Sequence, residues 1–164
     1  MIDIKLLRLA PHVEGLVTSA IRCCQEEFEK LGRVAPIVLF VKNGKLGMMP
    51  LTVRPATKDF ISIIIQSLRK DCDAVLFAYE AWVSSVKADT KDIEAVKEKV
   101  RKMSKNGPSP SQDPNREEEV LTSLYIGERT IMLGATIHRN PTKLGEFRLV
   151  IDSKVGDLVS GRFG

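Results

Sequence analysis

Glu80, Trp82, Arg116 and Glu118 are the residues whose types and placement could support chemistry in this chain. Glu80 stands near the exit of an apolar run, DAVLFAYEAWVSS, beside the single tryptophan. A carboxylate there is costly to bury unless it is paired or reaches solvent. Arg116 lies where the chain returns to strand-forming sequence after a long polar excursion. A guanidinium can grip a carboxylate through two charge-assisted hydrogen bonds. The expectation is therefore a Glu80–Arg116 contact with Trp82 and Glu118 beside it. Such a group acts either as a structural clasp or as the lining of a ligand or catalytic site, and structural ion pairs are the commoner case. A second constellation is the pair Glu117 and His138. A tight hairpin at Gly127-Glu128 sets His138 opposite Glu117, an arrangement suited to proton transfer and equally to a cross-strand salt bridge. Glu117–Glu119 also reads as a solvated strand entrance.

Other chemistries find little support. Cys23 and Cys24 are adjacent in a helical stretch and cannot easily direct two thiolates at one ion, and no C-x-x-C or H-x-x-x-H spacing occurs. No metal and no cofactor is expected. Gly44-Lys-Leu-Gly47 is too short for a phosphate loop, and no G-x-S-x-G is present. Lys87, Lys91, Lys97, Lys99, Arg101, Lys102 and Lys105 fall in or beside the stretch 89–103 together with Asp89, Asp92, Glu94 and Glu98, with the acidic residues first and the basic ones last, an order that suits a helix dipole without any partner. Weak nucleic-acid binding through this basic end is an alternative, but the interleaved aromatics that single strands favour are missing.

Several elements must position these groups. Pro11 followed by Val13, Leu16, Val17, Ala20, Ile21, Cys24, Phe28 and Leu31 at helical spacing, then Gly32, predicts a helix. Asn43-Gly44 between apolar runs predicts a type I′ hairpin with strands Ile37–Lys42 and Lys45–Leu51, and Pro50 places the second strand at an edge or ends it early. From about Pro55, Phe60, Ile61, Ile63, Ile64, Ile65 and Leu68 predict a second, well-buried helix. Ala74–Ser84 begins apolar on both faces and is expected to be a central strand. A thinly apolar third helix spans 89–103, and a Pro- and Ser-rich loop covers 104–116. Strands Glu118–Ile126 and Arg129–His138 follow, then the loop RNPTKLGE and a last strand, Phe147–Asp152.

The order α-β-β-α-β-α-β-β-β describes an α+β chain with a mixed or antiparallel sheet and the two main helices on one face. With 164 residues, one domain over 1–164 is the expectation. The net charge of +4 is too mild to argue for nucleic acid by itself. No apolar run reaches the roughly 18 residues of a spanning helix, so no membrane partner is expected. Three cysteines, two of them adjacent, make a poor disulfide framework, and the expected location is a reducing cytoplasm.

Glu80-Ala81-Trp82 at a strand end, followed by Pro110, Ser111, Pro114, Arg116 and Glu118 in the pattern P-S-x-x-P-x-R-x-E, resembles a group of uncharacterised bacterial and phage proteins. The resemblance covers the central third to half of the chain. It implies a bacterial or phage origin and a shared structural device, and brings no activity with it. The expected function is that of an accessory protein, a non-enzymatic binding or regulatory domain working as a homo-oligomer or with a protein partner. The alternative is an enzyme with a polar site around Glu80 and Arg116. Apolar residues at the start of the chain and at the hairpin edge point to a homodimer through one or both.

Overall fold

Pro11 carries the fixed φ that suits a first helical position, and the computed structural model has α1 over Pro11–Leu31. Gly32 ends it in the left-handed region at φ 66°, donating its N–H to the Phe28 carbonyl. The structure describes residues 2–51, 58–83, 94, 98, 102, 112 and 114–153. After α1 come β1 (Ile37–Lys42), β2 (Lys45–Pro50), α2 (Lys58–Asp71), β3 (Ala74–Val83), β4 (Glu117–Ile126), β5 (Arg129–Arg139), β6 (Thr142–Leu144) and β7 (Arg148–Asp152). The expected third helix, 89–103, lies outside the described residues except for Glu94, Glu98 and Lys102, and the 104–116 loop except for Gln112 and Pro114–Arg116.

The strands form one antiparallel sheet in the order β2-β1-β3-β4-β5, with β6 and β7 both paired to the far side of β5. Both hairpin turns form as the sequence predicts. Asn43 and Gly44 have φ of 50° and 72°, as a type I′ turn demands, and Gly127 has φ 55°.

The helices do not share a face. α1 packs with Leu39, Leu76, Val120, Ile131 and Ile137 on one side of the sheet. α2 packs with Val38, Val75, Phe77 and Leu121 on the other. The reason lies in β3, whose first six residues are all buried. Alternate side chains point to opposite faces, so a strand apolar on both needs a cover on each. α2 is also less buried than its composition predicts. Of its described residues Ile65 alone is buried, while Phe60 and Ile63 are exposed. Successive isoleucines advance about 100° round a helix, so the run Ile63–Ile65 cannot all face one sheet.

The expected loop RNPTKLGE contains a strand. After a cis Asn140–Pro141 bond, β6 pairs Thr142 with Arg139 and Leu144 with Ile137. It has no apolar alternation to betray it, and its backbone pairing defines it. Gly145 N–H then donates to the Thr136 carbonyl, Phe147 turns into the α1-side core, and β7 resumes along β5 with a register shift between Met132 and Leu133. β6 and β7 thus act as one strand broken at Gly145–Phe147.

Near the start of the chain lies a short 3₁₀ turn, Ile4–Leu7. Leu7 is buried, and Ile2, Ile4 and Leu9 pack against the α1-side core. Ile2 N–H donates to the Phe147 carbonyl at 3.1 Å. Arg129 grips both carboxylate oxygens of Asp152 and donates to the Leu7 carbonyl at 2.9 Å. This segment therefore serves the β5–β7 side and leaves the β2 edge untouched.

Candidate functional site

The α1 side of the sheet ends in a charged cluster that contains the residues singled out from the sequence. Register sets Trp82 opposite Glu118 and Glu80 opposite Val120. Glu80 Oε1 accepts the Val34 N–H at 2.7 Å, so it satisfies a backbone donor in the connection from α1 to β1. Glu27 does the same for Ala35 at 3.1 Å. The Arg116 guanidinium lies 4.7 Å from the Trp82 ring centroid, a cation–π contact. The two-pronged grip expected of Arg116 on Glu80 is made at this end by Arg139 on Glu118, at 2.9 and 2.5 Å. Arg139 also donates to the Gly32 carbonyl at 2.8 Å, at the C-terminus of α1. Its hydrogen bonds to Glu118 raise its pKa, and Glu80 adds to the effect. Arg139 is the member that sequence reasoning missed. Its signal was present, since the hairpin register at Gly127-Glu128 carries it to this end of the sheet.

These contacts pin the α1–β1 connection to the sheet. Replacing Glu80 with alanine leaves the buried Val34 N–H without its acceptor, an expected loss of about 1–3 kcal/mol in urea unfolding. Glutamine restores an acceptor oxygen and should recover a large part. Equal losses for the two variants would show that the hydrogen bond to Val34 is not what Glu80 supplies.

The other face carries a second polar group. Glu119 is 1% exposed, although its neighbours suggested a solvated strand entrance. One of its oxygens accepts from Arg148, which also donates to the Gly134 carbonyl at 3.2 Å. The other oxygen, Oε2, has no hydrogen-bond partner among the described residues. It lies against Gly134, where an added Cβ would stand 2.5 Å from it. A side chain at position 134 would have to push the Glu119 carboxylate aside. Further along this face, burial pushes the Tyr79 phenol up to about 12 and raises that of Tyr125. The Ser123 hydroxyl opposes both shifts, although its buried oxygen makes no well-aligned hydrogen bond among the described residues. Arg69 of α2 lies 4.9 Å from the Tyr125 ring centroid and donates to the Gly127 carbonyl, tying α2 to the β4–β5 turn.

Glu117 and His138 do not form a proton-transfer pair here. The hairpin register is the expected one, running from Ile126 opposite Arg129 to Glu119 opposite Thr136. The ladder between β4 and β5 ends there, two residues short of Glu117 opposite His138. Both residues are exposed, and no hydrogen bond or ion pair joins them among the described residues. Burial pushes the Cys24 thiol up to about 12, with Cys23 and Glu27 adding to the rise. Among the described residues no group of three His, Cys, Asp or Glu could hold a metal ion, and no helix is long and apolar enough to cross a membrane.

The β2 edge exposes apolar side chains. Leu46 is 53% and Met48 59% exposed. Leu51 N–H donates to the Pro36 carbonyl, and Lys42 faces Lys45 across the turn. Hydrogen-bonded pairs alternate in an antiparallel ladder, so Lys45, Gly47 and Met49 turn their backbone groups toward β1. Leu46, Met48 and Pro50 turn theirs outward. Among the described residues no strand pairs with that side. On the opposite sheet face the Phe40 ring lies on Gly47, within 2.3 Å of where a Cβ would stand. An aromatic covering a glycine in this way holds an edge strand in place.

No protein-family model, curated protein or solved structure matches the chain.

Proposed function

We propose that this protein is a non-enzymatic binding domain that works through protein–protein contacts, as a homo-oligomer or with a protein partner, and that its working surface is the open edge of β2. The observation that carries this reading is the outward row of Leu46 and Met48, whose N–H and C=O groups have no pairing strand among the described residues and stand beside two exposed apolar side chains. Such an edge is a template for an added strand, with main-chain hydrogen bonds for affinity and side chains for selectivity. The charged groups around Glu80 support the same reading, since Glu80, Glu118 and Arg139 are engaged in holding backbone and each other. An enzyme whose site is built on Glu80 and Arg116, and nucleic-acid binding through 97–105, remain the alternatives to this reading.

The test is a double substitution, Leu46→Lys with Met48→Lys. Both side chains are exposed, so the fold should be retained, as circular dichroism would show. In native extract the wild-type chain should elute on size exclusion as a species above its 18.2 kDa mass, and the variant at that mass. A variant that stays in the larger species rules out the β2 edge as the working surface.

A further inference from the structure

We infer that the strand added to the β2 edge is β2 of a second copy of this chain, antiparallel about a two-fold axis at Gly47. The inference rests on the open edge being the working surface and names its occupant. The outward backbone groups are self-complementary. Leu46 and Met48 each present one N–H and one C=O. With the axis at Gly47, Leu46 faces Met48 of the second copy and Met48 faces its Leu46. All four N–H groups then find carbonyls.

The neighbouring registers each place a defect inside the ladder. An axis at Met48 sets Leu46 opposite Pro50, which has no N–H and whose ring occupies the donor's place. An axis at Leu46 sets Met48 opposite Gly44, which the turn holds at φ 72°, out of the extended region. Pro50 thereby acts as the residue that selects the register.

Side chains agree with the backbone. Leu46 pairs with Val41 and Met48 with Leu39, both residues of the α1-side core. Leu46 and Met48 therefore lie on the α1 side of the sheet. A two-fold axis perpendicular to the sheet keeps that side common to both copies. The two leucines and two methionines form one apolar cluster continuous with each core, and methionine adapts well to such a seam. On the other side, the Lys45 stem covers Met49 of the second copy. A short ladder and four apolar side chains make a small interface beside the roughly 1,600 Å² of a standard one, so association should depend on concentration in the micromolar range.

The test uses the full chain and two single variants, Leu46→Cys and Met48→Cys, under mild oxidation, scored above the background of wild-type cysteines. Directly opposed residues have Cα atoms about 5.5 Å apart, inside the range a disulfide spans, whereas like residues in this register are beyond about 7 Å. The two variants mixed should give a cross-linked dimer that neither gives alone, and sedimentation equilibrium of the wild type should rise from 18.2 kDa toward twice that mass. Cross-linking by Met48→Cys or Leu46→Cys alone overturns the register. A wild type that stays at 18.2 kDa across micromolar concentrations overturns the second copy as occupant. In that case the open-edge reading is judged separately, by the lysine variant in extract.

Discussion

Replacing Phe147 with alanine is expected to destabilise the protein by about 3–5 kcal/mol, the range for truncating a buried aromatic. Phe147 is among the largest side chains removed from solvent, at 2% exposure, and it sits in the break between β6 and β7. The neighbouring strands pair on both sides of the break, so they cannot collapse inward to fill the space. The backbone there also carries the acceptor for Ile2 N–H, so the N-terminal turn should loosen with it. Urea unfolding gives the size of the loss. Hydrogen exchange at Ile2 gives its reach. A loss below about 1 kcal/mol would mean that backbone pairing alone anchors the break.

The next residue faces the other way and should matter for a different reason. Arg148→Met keeps the apolar stem but removes the cation on Glu119. Deleting one partner of a buried pair typically costs about 3–5 kcal/mol, because the remaining charge is left uncompensated. Arg148 is half exposed, so water can take over part of its role, and the lower end, about 3 kcal/mol, is expected. Replacing both residues, as Arg148→Met with Glu119→Leu, should cost clearly less than the arginine change alone, since no orphaned carboxylate is left. A double-mutant cycle reads this directly. Simple additivity would show that Glu119 draws its compensation from elsewhere.

Much of the fold was legible because its signals are local. Pro11 and Gly32 bound α1. Asn43-Gly44 and Gly127-Glu128 define two hairpins with their registers. The six apolar residues at the start of β3 mark a strand covered on both faces, and this same feature places the helices on opposite sides, a step the element order alone does not supply. What was not legible depends on distant pairing. Thr142–Leu144 carries no apolar alternation, so β6 exists only through its partner β5. Glu119 looks like its exposed neighbour Glu117, and only Arg148 and the missing side chain at Gly134 make its burial tolerable. At the candidate site, Glu80, Trp82, Arg116 and Glu118 do gather at one end of one sheet face. The assignment of Arg139 to Glu118 and of Glu80 to Val34 required knowing which cation the hairpin brings there and that the α1–β1 connection passes over the strand end.

The pairing of Val83 with Glu117 has a consequence for how this chain can vary. These two residues are adjacent across a ladder, yet residues 84–116 separate them in sequence. The intervening stretch is thus an insertion into what is topologically a simple hairpin, and it leaves and rejoins the sheet at one point. The entropy of closing such a loop grows only with the logarithm of its length, about 0.6 kcal/mol for each doubling. A change in the length of this segment therefore adds little to the closure cost of the β3–β4 pairing.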